Sequence, residues 1–349
     1  MKRNRKIAII GHFGGSENIL DGQTIKTKIL YDELKKASSF EIQKVDTYYK
    51  KRNPIKLLKD TLICIFTTKD IIVLLSGNGM QFYFPLLFFC KKIFKTRIYH
   101  DVIGGNLDQY VCEYPQFKKY LNAFEINLVE TKSMKDKLTL QGINNCEVMP
   151  NFKRLKIAKV KQEEIKEPYR FCMFSRVMKE KGIEDAIKAV EQINFKNGKR
   201  ICELDIFGRI DDEYKEDFEE LMHNSSEAIS YRGMIPYDES VDTIKDYFAL
   251  LFPTYWSGEG FPGTIVDAFS AGIPVIATDW SCNGEIIDNF KNGIIYPNDK
   301  MKNLENAMEW FMKNADQIFY YKMNCVNVAK KYQPDNHIAR IIELIEHCK

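Results

Sequence analysis

Two carboxylates, Glu259 and Asp267, lie eight residues apart in the stretch EGFPGTIVDAFSAG. The apolar run 248–253 before them predicts a buried strand that ends at a proline. Residues 264–271 carry apolar side chains at helical spacing, and residues 274–277 predict the next strand. The pattern is therefore strand, loop, helix, strand, with one carboxylate in the loop and the other about one turn into the helix.

The start of this predicted helix is suited to an anion such as a phosphate. The backbone N–H groups of Gly263, Thr264 and Ile265 would have no partner inside the helix, and they point beyond its N-terminus. Glu259 and Asp267 would lie at different depths of the same site, so one could hold a sugar and the other a ribose. The alternative is a plain loop charge followed by an acid that is favoured near a helix N-terminus.

A second segment carries two cations at a strand end. Residues 169–174 predict a strand, and the sequence SRVMKEKG after it places Arg176 and Lys181 before a helix that begins near residue 183. Paired cations there could bind an anion. The alternative is a solvated charged turn.

Together, these two segments resemble the retaining glycosyltransferases of family 4. The residues Thr278-Asp279-Trp280 that follow the first segment look like the branch found in bacterial capsule, O-antigen and exopolysaccharide clusters. Members carry a Glu, seven residues and a second acid around the nucleotide sugar. Here the second acid is Asp267 rather than Glu, and Pro262 stands where many members have Gly. The resemblance implies that Arg176 and Lys181 clamp the diphosphate, that Asp267 holds the ribose and that Glu259 positions the sugar.

The beginning of the chain is typical of a Rossmann-like unit. Residues 6–10 predict a strand that runs into a loop with Gly14 and Gly15, and a helix is predicted from about residue 23 to 36. The dinucleotide fingerprint GxGxxG is absent. The resemblance places Gly14 and Gly15 against the donor diphosphate, and a plain tight turn is the alternative.

Another strand end in the first half carries polar residues and glycines. Residues 97–99 predict a short strand that delivers His100 to the sheet edge where open α/β sheets bind ligands. The resemblance implies that His100 lies near the donor sugar and that Asp101, Gly104 and Gly105 face the acceptor. A lone histidine is more often a structural residue, but its place at a strand end favours function here.

Two strand-to-turn corners in the second half could enclose the nucleobase. They lie at Gly208-Arg209 and at Met234-Ile235. The resemblance places the base between them, and we favour a UDP-sugar as the donor. The sequence does not encode the identity of the base.

A chain of 349 residues suits two α/β domains of about 150 residues each. The resemblance implies the GT-B architecture, in which two Rossmann-like domains have parallel sheets that face each other across a cleft. We predict an acceptor-side domain over 1–152, a charged linker without a core face over 153–167, and a nucleotide-sugar-binding domain over 168–332. The last helix, about 333–349, is expected to pack back on the first domain.

Two helices of the first half are predicted from their apolar spacing. Residues 54–66 place Ile55, Leu58, Leu62 and Ile65 on one stripe. The segment 80–94 is the most apolar of the chain, rich in aromatic residues and closed by lysines. It predicts a core helix of a crossover or, alternatively, a helix that dips into an anionic lipid leaflet.

The charge is divided unevenly. Residues 1–150 carry 24 Lys and Arg against 15 Asp and Glu, a net charge of +9, whereas the rest of the chain carries −6. This asymmetry favours an anionic ligand or an anionic membrane surface as a partner of the first domain. Nucleic acid is not expected, because there is no recognition motif and no arginine-rich helix.

Composition excludes several other classes. No apolar run approaches the roughly 18 residues of a membrane span, and the N-terminus leads into a strand rather than a signal peptide. The nine cysteines form no CxxC pair, which favours reduced thiols in a cytoplasmic protein, with no zinc site and no disulfides. The pair Asp211-Asp212 lacks the spacing of a metal–diphosphate site. We expect no metal and no cofactor, since the nucleotide sugar is a substrate.

We therefore predict a glycosyltransferase that moves a hexose-type residue from a nucleotide sugar to a glycan or lipid-linked saccharide in bacterial surface-glycan synthesis. Retention at the anomeric carbon and independence of metal are implied by the resemblance. Two alternatives stay open. One is a nucleotide-sugar epimerase with the same architecture, and the other is a catalytically inactive partner subunit of an assembly complex.

Overall fold

The computed structural model describes residues 5–17, 21–162, 165–236, 238–298 and 301–347. The chain divides into two compact units. Unit 1 comprises Met1–Arg154 with Gln333–Lys349, and unit 2 comprises Leu155–Tyr332. Each unit is a three-layer α/β structure around one parallel sheet, so the predicted α/β class with two Rossmann-like domains is confirmed.

The sheet of unit 1 has six strands in the order β2-β1-β3-β4-β5-β6, and all neighbouring strands run parallel. The strands are β1 (Lys6–Gly11), β2 (Glu41–Asp46), β3 (Asp70–Leu74), β4 (Arg97–Asp101), β5 (Ile126–Val129) and β6 (Cys146–Val148). The helices are α1 (Gly22–Ala37), α2 (Pro54–Thr67), α3 (Gly77–Phe94), α4 (Leu107–Glu113), α5 (Phe117–Ala123), α6 (Lys132–Leu140) and, at the end of the chain, α14 (Pro334–His347).

Two apolar clusters cover the two faces of this sheet. On one face α1 and α14 pack through Leu30, Leu34, Ile338 and Ile341. On the other face α2 to α5 pack against the alternate side chains of the strands, and Phe84 of α3 is fully buried there. The central strands are buried on both faces, which explains why they are continuous apolar runs in the sequence.

Unit 2 repeats this plan with the strand order β12-β11-β10-β7-β8-β9, again parallel throughout. Its strands are β7 (Tyr169–Phe174), β8 (Cys202–Phe207), β9 (Ile229–Gly233), β10 (Ala249–Phe252), β11 (Val275–Thr278) and β12 (Gly293–Tyr296). Its helices are α7 (Ile183–Asn197), α8 (Lys215–Asn224), α9 (Ser240–Ile244), α10 (Gly263–Ala271), α11 (Asn283–Ile286), α12 (Met301–Lys313) and α13 (Ile318–Ala329). Its two core clusters likewise lie on opposite faces, one under α7 and α12 and the other under α10 and α13.

The sequence analysis missed three strands, β2, β6 and β12. The side chains of β2 are exposed or half-buried in its first four residues, β6 has only three residues and β12 has only four. Each of these strands has a single neighbour in the sheet order, so none needs the long apolar run that marks a central strand.

One expectation about burial was wrong. The segment 153–167 does have a core face, because Leu155 is buried in a cluster of unit 2 and the backbone N–H of Ala158 donates to the carbonyl of Ser270. In the apolar stripe predicted for α2, Ile65 is buried, but Ile55, Leu58 and Leu62 are exposed. The buried residues of α2 are Thr61, Cys64 and Ile65.

A buried ionic cluster joins α1 to the carboxyl ends of two strands in unit 1. The ammonium of Lys26 lies 2.8 Å from carboxylate oxygens of both Asp101 and Glu130, and it donates to the carbonyl of Val102. Although burial disfavours its charge, the two carboxylates hold the pKa of Lys26 above its ordinary value. Burial raises the pKa of Asp101.

Removal of this ammonium should destabilise unit 1 strongly. We expect Lys26→Met to lower the free energy of unfolding by about 3–5 kcal/mol, because two buried carboxylates would lose their partner. The exposed Lys35 of α1 provides the matched control, and Lys35→Met should change stability by no more than about 0.5 kcal/mol. Urea unfolding followed by circular dichroism measures both, and equal effects would show that the cluster is not a structural anchor.

Candidate active site

The predicted site residues of unit 2 follow the carboxyl ends of four adjacent strands. The loop 175–182 follows β7, Gly208 follows β8, Met234 follows β9 and the loop 253–262 follows β10. These strands are neighbours in the order β10-β7-β8-β9, and all run parallel. Their carboxyl ends therefore lie at one edge of the sheet, where open α/β sheets bind their ligands.

Backbone hydrogen bonds continue beyond the strands and tie three of these corners together. The N–H of Ser175 donates to the carbonyl of Phe207 at 3.1 Å, and the N–H of Gly208 donates to that of Gly233 at 2.9 Å. A Cβ at Gly208 would lie 1.7 Å from the carbonyl oxygen of Ser175, and its φ of +138° also requires glycine. Gly208 thus lets two strand ends meet without an intervening side chain.

The centre of this edge is a buried ion pair between Lys181 and Glu259. Their residues are only 7% and 6% exposed, and the ammonium contacts Oε2 of the carboxylate. The hydroxyl of Thr254 donates to the same oxygen at 3.0 Å. The ring of Trp256 lies 4.7 Å from the ammonium, in cation–π geometry. The cation predicted after β7 and the carboxylate predicted after β10 therefore form one group.

A glycine that the sequence analysis did not single out as a site residue makes this pairing possible. Gly182 has φ +72°, and a Cβ there would lie 2.3 Å from the carbonyl oxygen of Pro253. The N–H of Tyr255 donates to the carbonyl of Glu180 at 2.8 Å. The two loops therefore touch through their backbones directly beside Lys181. The sequence signal for Gly182 is its position at the end of the turn KEKG, immediately before the predicted helix.

The loop after β11 supports the loop that carries Glu259. The indole N–H of Trp280 donates to the carbonyl of Trp256, and the hydroxyl of Ser281 donates to that of Glu259, both at 2.8 Å. These hydrogen bonds fix the backbone of the loop that carries the Glu259 carboxylate. The sequence analysis did not identify Trp280 and Ser281 as supporting residues. Their only signal in the sequence is their position just after a predicted strand.

The N-terminus of α10 presents fewer N–H groups than predicted. The N–H of Ile265 donates to the carbonyl of Pro262 at 3.1 Å, so the expectation that it is free was wrong. In the described part of the chain, the N–H groups of Gly263 and Thr264 donate to no backbone carbonyl. The hydroxyl of Thr264 donates to the carbonyl of Phe174, which fixes the start of α10 at the end of β7.

Asp267 lies one turn into α10 and is only 1% exposed. Its Oδ1 accepts a hydrogen bond of 2.7 Å from the hydroxyl of Ser240, a fully buried residue at the start of α9. Sequence analysis did not identify Ser240. A ribose at Asp267 would have to share this carboxylate with the serine.

Three of the remaining predicted donor residues, Arg176, Arg209 and Met234, face solvent. Arg176 has a side chain that is 49% exposed and lies 3.6 Å from Asp211. The Arg209 side chain is 70% exposed, and Met234 is 63% exposed. Ile235 is partly buried against a core cluster. Arg176 and Arg209 can therefore reach a ligand at this edge without breaking a buried contact.

Residues 156–331 match the sequence model of the family described as "Glycosyl transferases group 1", which is half of the chain. The chain belongs to the group 1 glycosyltransferases. An uncharacterized glycosyltransferase of Methanocaldococcus jannaschii, MJ1069, is 21% identical to it over 213 residues, which are 58% of this chain and 53% of the relative. The aligned region thus spans about half the length of this curated relative.

Solved glycosyltransferase structures share the fold over nearly the whole chain. Sucrose-phosphate synthase from Thermosynechococcus elongatus superposes with a TM-score of 0.77 and 14% identity over 98% of both chains. Anabaena HepE, solved with UDP and glucose, gives a TM-score of 0.70 and 13% identity over 98% of this chain and 100% of its own. The lipopolysaccharide outer core galactosyltransferase WaaB superposes with a TM-score of 0.65 and 16% identity, over 97% of this chain and 99% of its own. This likeness confirms the predicted GT-B fold.

In unit 1 of this glycosyltransferase, the glycine loop is already occupied by a carboxylate. The N–H groups of Phe13 and Gly15 donate to Asp46 at 2.8 and 2.9 Å. Gly14 and Gly15 both have positive φ, and a Cβ at Gly15 would lie 2.5 Å from the ring of Tyr48. A phosphate could use the N–H of Gly15 only by displacing Asp46, which the sequence analysis did not foresee.

His100 is buried among aromatic rings in unit 1. It is 1% exposed, and its ring packs edge-on against Phe84 and Phe124. Its Nδ1 lies 3.0 Å from the amide oxygen of Asn127. Burial lowers the pKa of the imidazole to about 4, so the ring is neutral at physiological pH. These contacts favour a structural role, but Nε2 has no hydrogen-bond partner in the described part of the chain. The place of His100 near the donor sugar stays a prediction.

The predicted acceptor-side residues differ in how accessible they are. Asp101 is fully buried and bound to Lys26, so it is not available to an acceptor. Gly104 has φ +83° with open space where a Cβ would lie, and Gly105 is half-buried. The loop after β4 therefore offers backbone groups rather than the aspartate. Among the described residues, no group of three or more His, Cys, Asp or Glu side chains could hold a metal.

The burial of His100 should make the stability of the glycosyltransferase depend on pH. Between its ordinary pKa of 6.5 and about 4, the unfolded chain binds a proton that the folded chain excludes, so stability is lost on acidification through this interval. We expect His100→Phe to remove up to about 3 kcal/mol of that loss. Unfolding measured at several pH values tests this, and the exposed His223 supplies the control variant His223→Phe. An unchanged pH slope in His100→Phe would contradict the structural role.

Proposed function

We propose that the protein is a retaining glycosyltransferase of family 4 that takes its sugar from a nucleotide sugar, with a UDP-sugar as the favoured donor. The acceptor is a lipid-linked saccharide or a polysaccharide of bacterial surface-glycan synthesis, and the reaction takes place in the cytoplasm without a metal. Likeness to structures solved with UDP, UDP-glucose, or UDP and GlcNAc supports the donor class. The name of the WaaB structure supports the acceptor class.

The buried pair of Lys181 and Glu259 beside the N-terminus of α10 is the observation that carries this proposal. An ammonium has three N–H donors, and Glu259 uses only part of this capacity. A phosphate oxygen can therefore bind Lys181 while Glu259 still holds it. Both hydrogen bonds from protein donors go to Oε2 of Glu259, and no described residue donates to Oε1. That oxygen is left for a sugar hydroxyl.

The departing nucleoside diphosphate would be received by charges and dipoles that are already in position. Lys181 provides a poorly solvated cation, the exposed Arg176 provides a second, and the N–H groups of Gly263 and Thr264 point beyond the start of α10. Such preorganised groups stabilise charge that develops in the transition state, and they do so more strongly where water is excluded. This arrangement replaces the metal that many diphosphate sites need.

The rest of the donor would extend along the sheet edge on either side. Asp267 with Ser240 would bind the ribose, and the backbone at Gly208 together with Met234 would enclose the base. In the reaction, the bond from the anomeric carbon to the phosphate oxygen breaks, and a bond to the acceptor oxygen forms on the same face. The hydroxyl proton of the acceptor passes to an oxygen of the leaving phosphate.

A panel of nucleotides tests the donor proposal and its alternatives together. We expect UDP and UDP-sugars to raise the melting temperature more than GDP, ADP or their sugars, and we expect the shift to persist with a chelator present. Transfer to a lipid-linked saccharide, followed by mass spectrometry, should give a product with the donor's anomeric configuration. An isomerised nucleotide sugar formed without an acceptor would indicate an epimerase. The lack of any shift with nucleoside diphosphates would indicate an inactive partner subunit.

Loss of the Lys181 ammonium should affect turnover far more than loss of a neighbouring lysine. We expect Lys181→Ala to lower kcat by about a hundredfold to a thousandfold, the usual cost of one such donor. The exposed Lys179 in the same loop is the matched control, and Lys179→Ala should keep nearly full activity.

Because Lys181→Ala leaves the Glu259 carboxylate unpaired, a second variant separates folding from chemistry. The double variant Lys181→Met/Glu259→Gln removes both charges and should regain thermal stability without regaining turnover. Near-normal turnover in either Lys181 variant would remove this residue from the site.

A further inference from the structure

Large apolar side chains are exposed mainly on one pair of helices. Of the 17 such side chains exposed in the described part of the chain, nine lie on α2 and α3. On α2, Ile55 is 80% exposed, Leu58 56%, Leu62 45% and Phe66 70%. Their spacing places them on one stripe, while Thr61, Cys64 and Ile65 face the core.

The same pattern occurs on α3. Phe82, Phe89 and Ile93 are more than half exposed and fall on one stripe of the helix. The opposite side is buried and includes Phe84 and Leu87. A helix that is apolar all round is expected where both sides are covered, but here only one side is covered within unit 1.

The two stripes form one continuous surface, which we name the α2–α3 face. The rings of Phe66 and Phe94 meet with their centroids 5.6 Å apart. Beneath them, the hydroxyl groups of Thr61 and Tyr83 are hydrogen-bonded at 2.9 Å. The helices therefore lie side by side on one face of the sheet of unit 1, with their outward apolar residues adjacent.

Cations surround this face. Residues 50–69 and 77–95 contain nine Lys and Arg, but Asp60 is the sole Asp or Glu in these two ranges. Lys59, Lys92 and Lys95 are exposed, and Asp60 is paired with a lysine one turn before it. Most of the +9 charge of the first 150 residues is therefore concentrated around the apolar surface.

We propose that the α2–α3 face binds an anionic lipid bilayer, with its aromatic and aliphatic side chains in the headgroup region and its lysines on the lipid phosphates. An apolar helical face flanked by lysines is the composition of segments that lie in a membrane interface. None of the helices in the described part of the chain is long and apolar enough to cross a bilayer, so this contact is with the surface.

A second copy of the chain fits this face less well. A symmetric dimer would bring the same patch of both copies together, so the lysines around one face would meet those around the other. An anionic membrane instead neutralises them. The inference complements the lipid-linked acceptor proposed above, but its test uses lipid alone, so its failure would leave the transferase proposal standing.

Co-sedimentation with vesicles tests the proposal on the full-length protein. We use phosphatidylcholine vesicles with and without about one third phosphatidylglycerol. The apolar variant is Phe66→Ser/Phe89→Ser, and its control is Leu140→Ser/Phe195→Ser, two residues that are 89% and 88% exposed elsewhere. The charge variant is Lys59→Glu/Lys95→Glu.

The control for the charge variant is Lys35→Glu/Lys302→Glu, two exposed lysines away from α2 and α3. We expect the wild type and both controls to bind anionic vesicles, neutral vesicles to bind weakly, and the apolar and charge variants each to lose affinity by about tenfold or more. Unchanged melting temperatures would show that all variants are folded. Equal binding by variants and controls would overturn the proposal.

Insertion and self-association are separated by two further measurements. Tryptophan placed by Phe89→Trp should be quenched by brominated lipids, whereas Leu140→Trp on α6 should not be. Size-exclusion chromatography without lipid should show a monomer. Concentration-dependent dimers that are abolished by Phe66→Ser/Phe89→Ser, with no vesicle binding, would replace the membrane with a second copy of the chain.

Discussion

The buried ion pair between Lys181 and Glu259 is the constraint on which the arrangement of unit 2 depends. Two charges that are nearly removed from water are tolerated only because they meet each other, and Thr254 satisfies the same carboxylate oxygen. They meet because Gly182 lets the loop after β7 touch the backbone of Pro253 at the end of β10. A side chain at that glycine would separate the loops and leave both charges buried without a partner. The architecture that would receive a diphosphate thus relies on a close backbone approach as much as on the charged groups themselves.

The two units use the same sheet geometry for different purposes. In unit 2, the edge formed by the carboxyl ends of the strands presents charged side chains and the start of a helix. In unit 1, several charged groups at the corresponding edge are bound within the fold. Asp46 accepts the N–H groups of the glycine loop, and Lys26 binds both Asp101 and Glu130. This edge of unit 1 therefore differs from that of unit 2. The charge of unit 1 lies instead around the α2–α3 face.

The uneven charge of the chain has a defined place in the structure, the α2–α3 face of unit 1. The excess of cations in the first 150 residues gathers around an exposed apolar surface, and at the anionic bilayer that we propose as its partner the two features would reinforce each other. An enzyme held at a membrane would meet a lipid-carried acceptor by diffusion in two dimensions. The donor, by contrast, would reach the edge of unit 2 from solution.

The sequence by itself determined both parallel sheets, most of their strands and helices, and the placement of the predicted donor residues at one edge of the second sheet. Buried parallel strands must be apolar runs, and residues that follow parallel strands must share an edge. The edge strands β2, β6 and β12 were not predicted, because exposed or short strands leave no such pattern. Only the tertiary structure decided that His100 is enclosed by aromatic rings and that the stripe of α2 faces outward. Helical periodicity shows that a side of a helix is apolar, but what covers that side depends on neighbours that are distant in the chain.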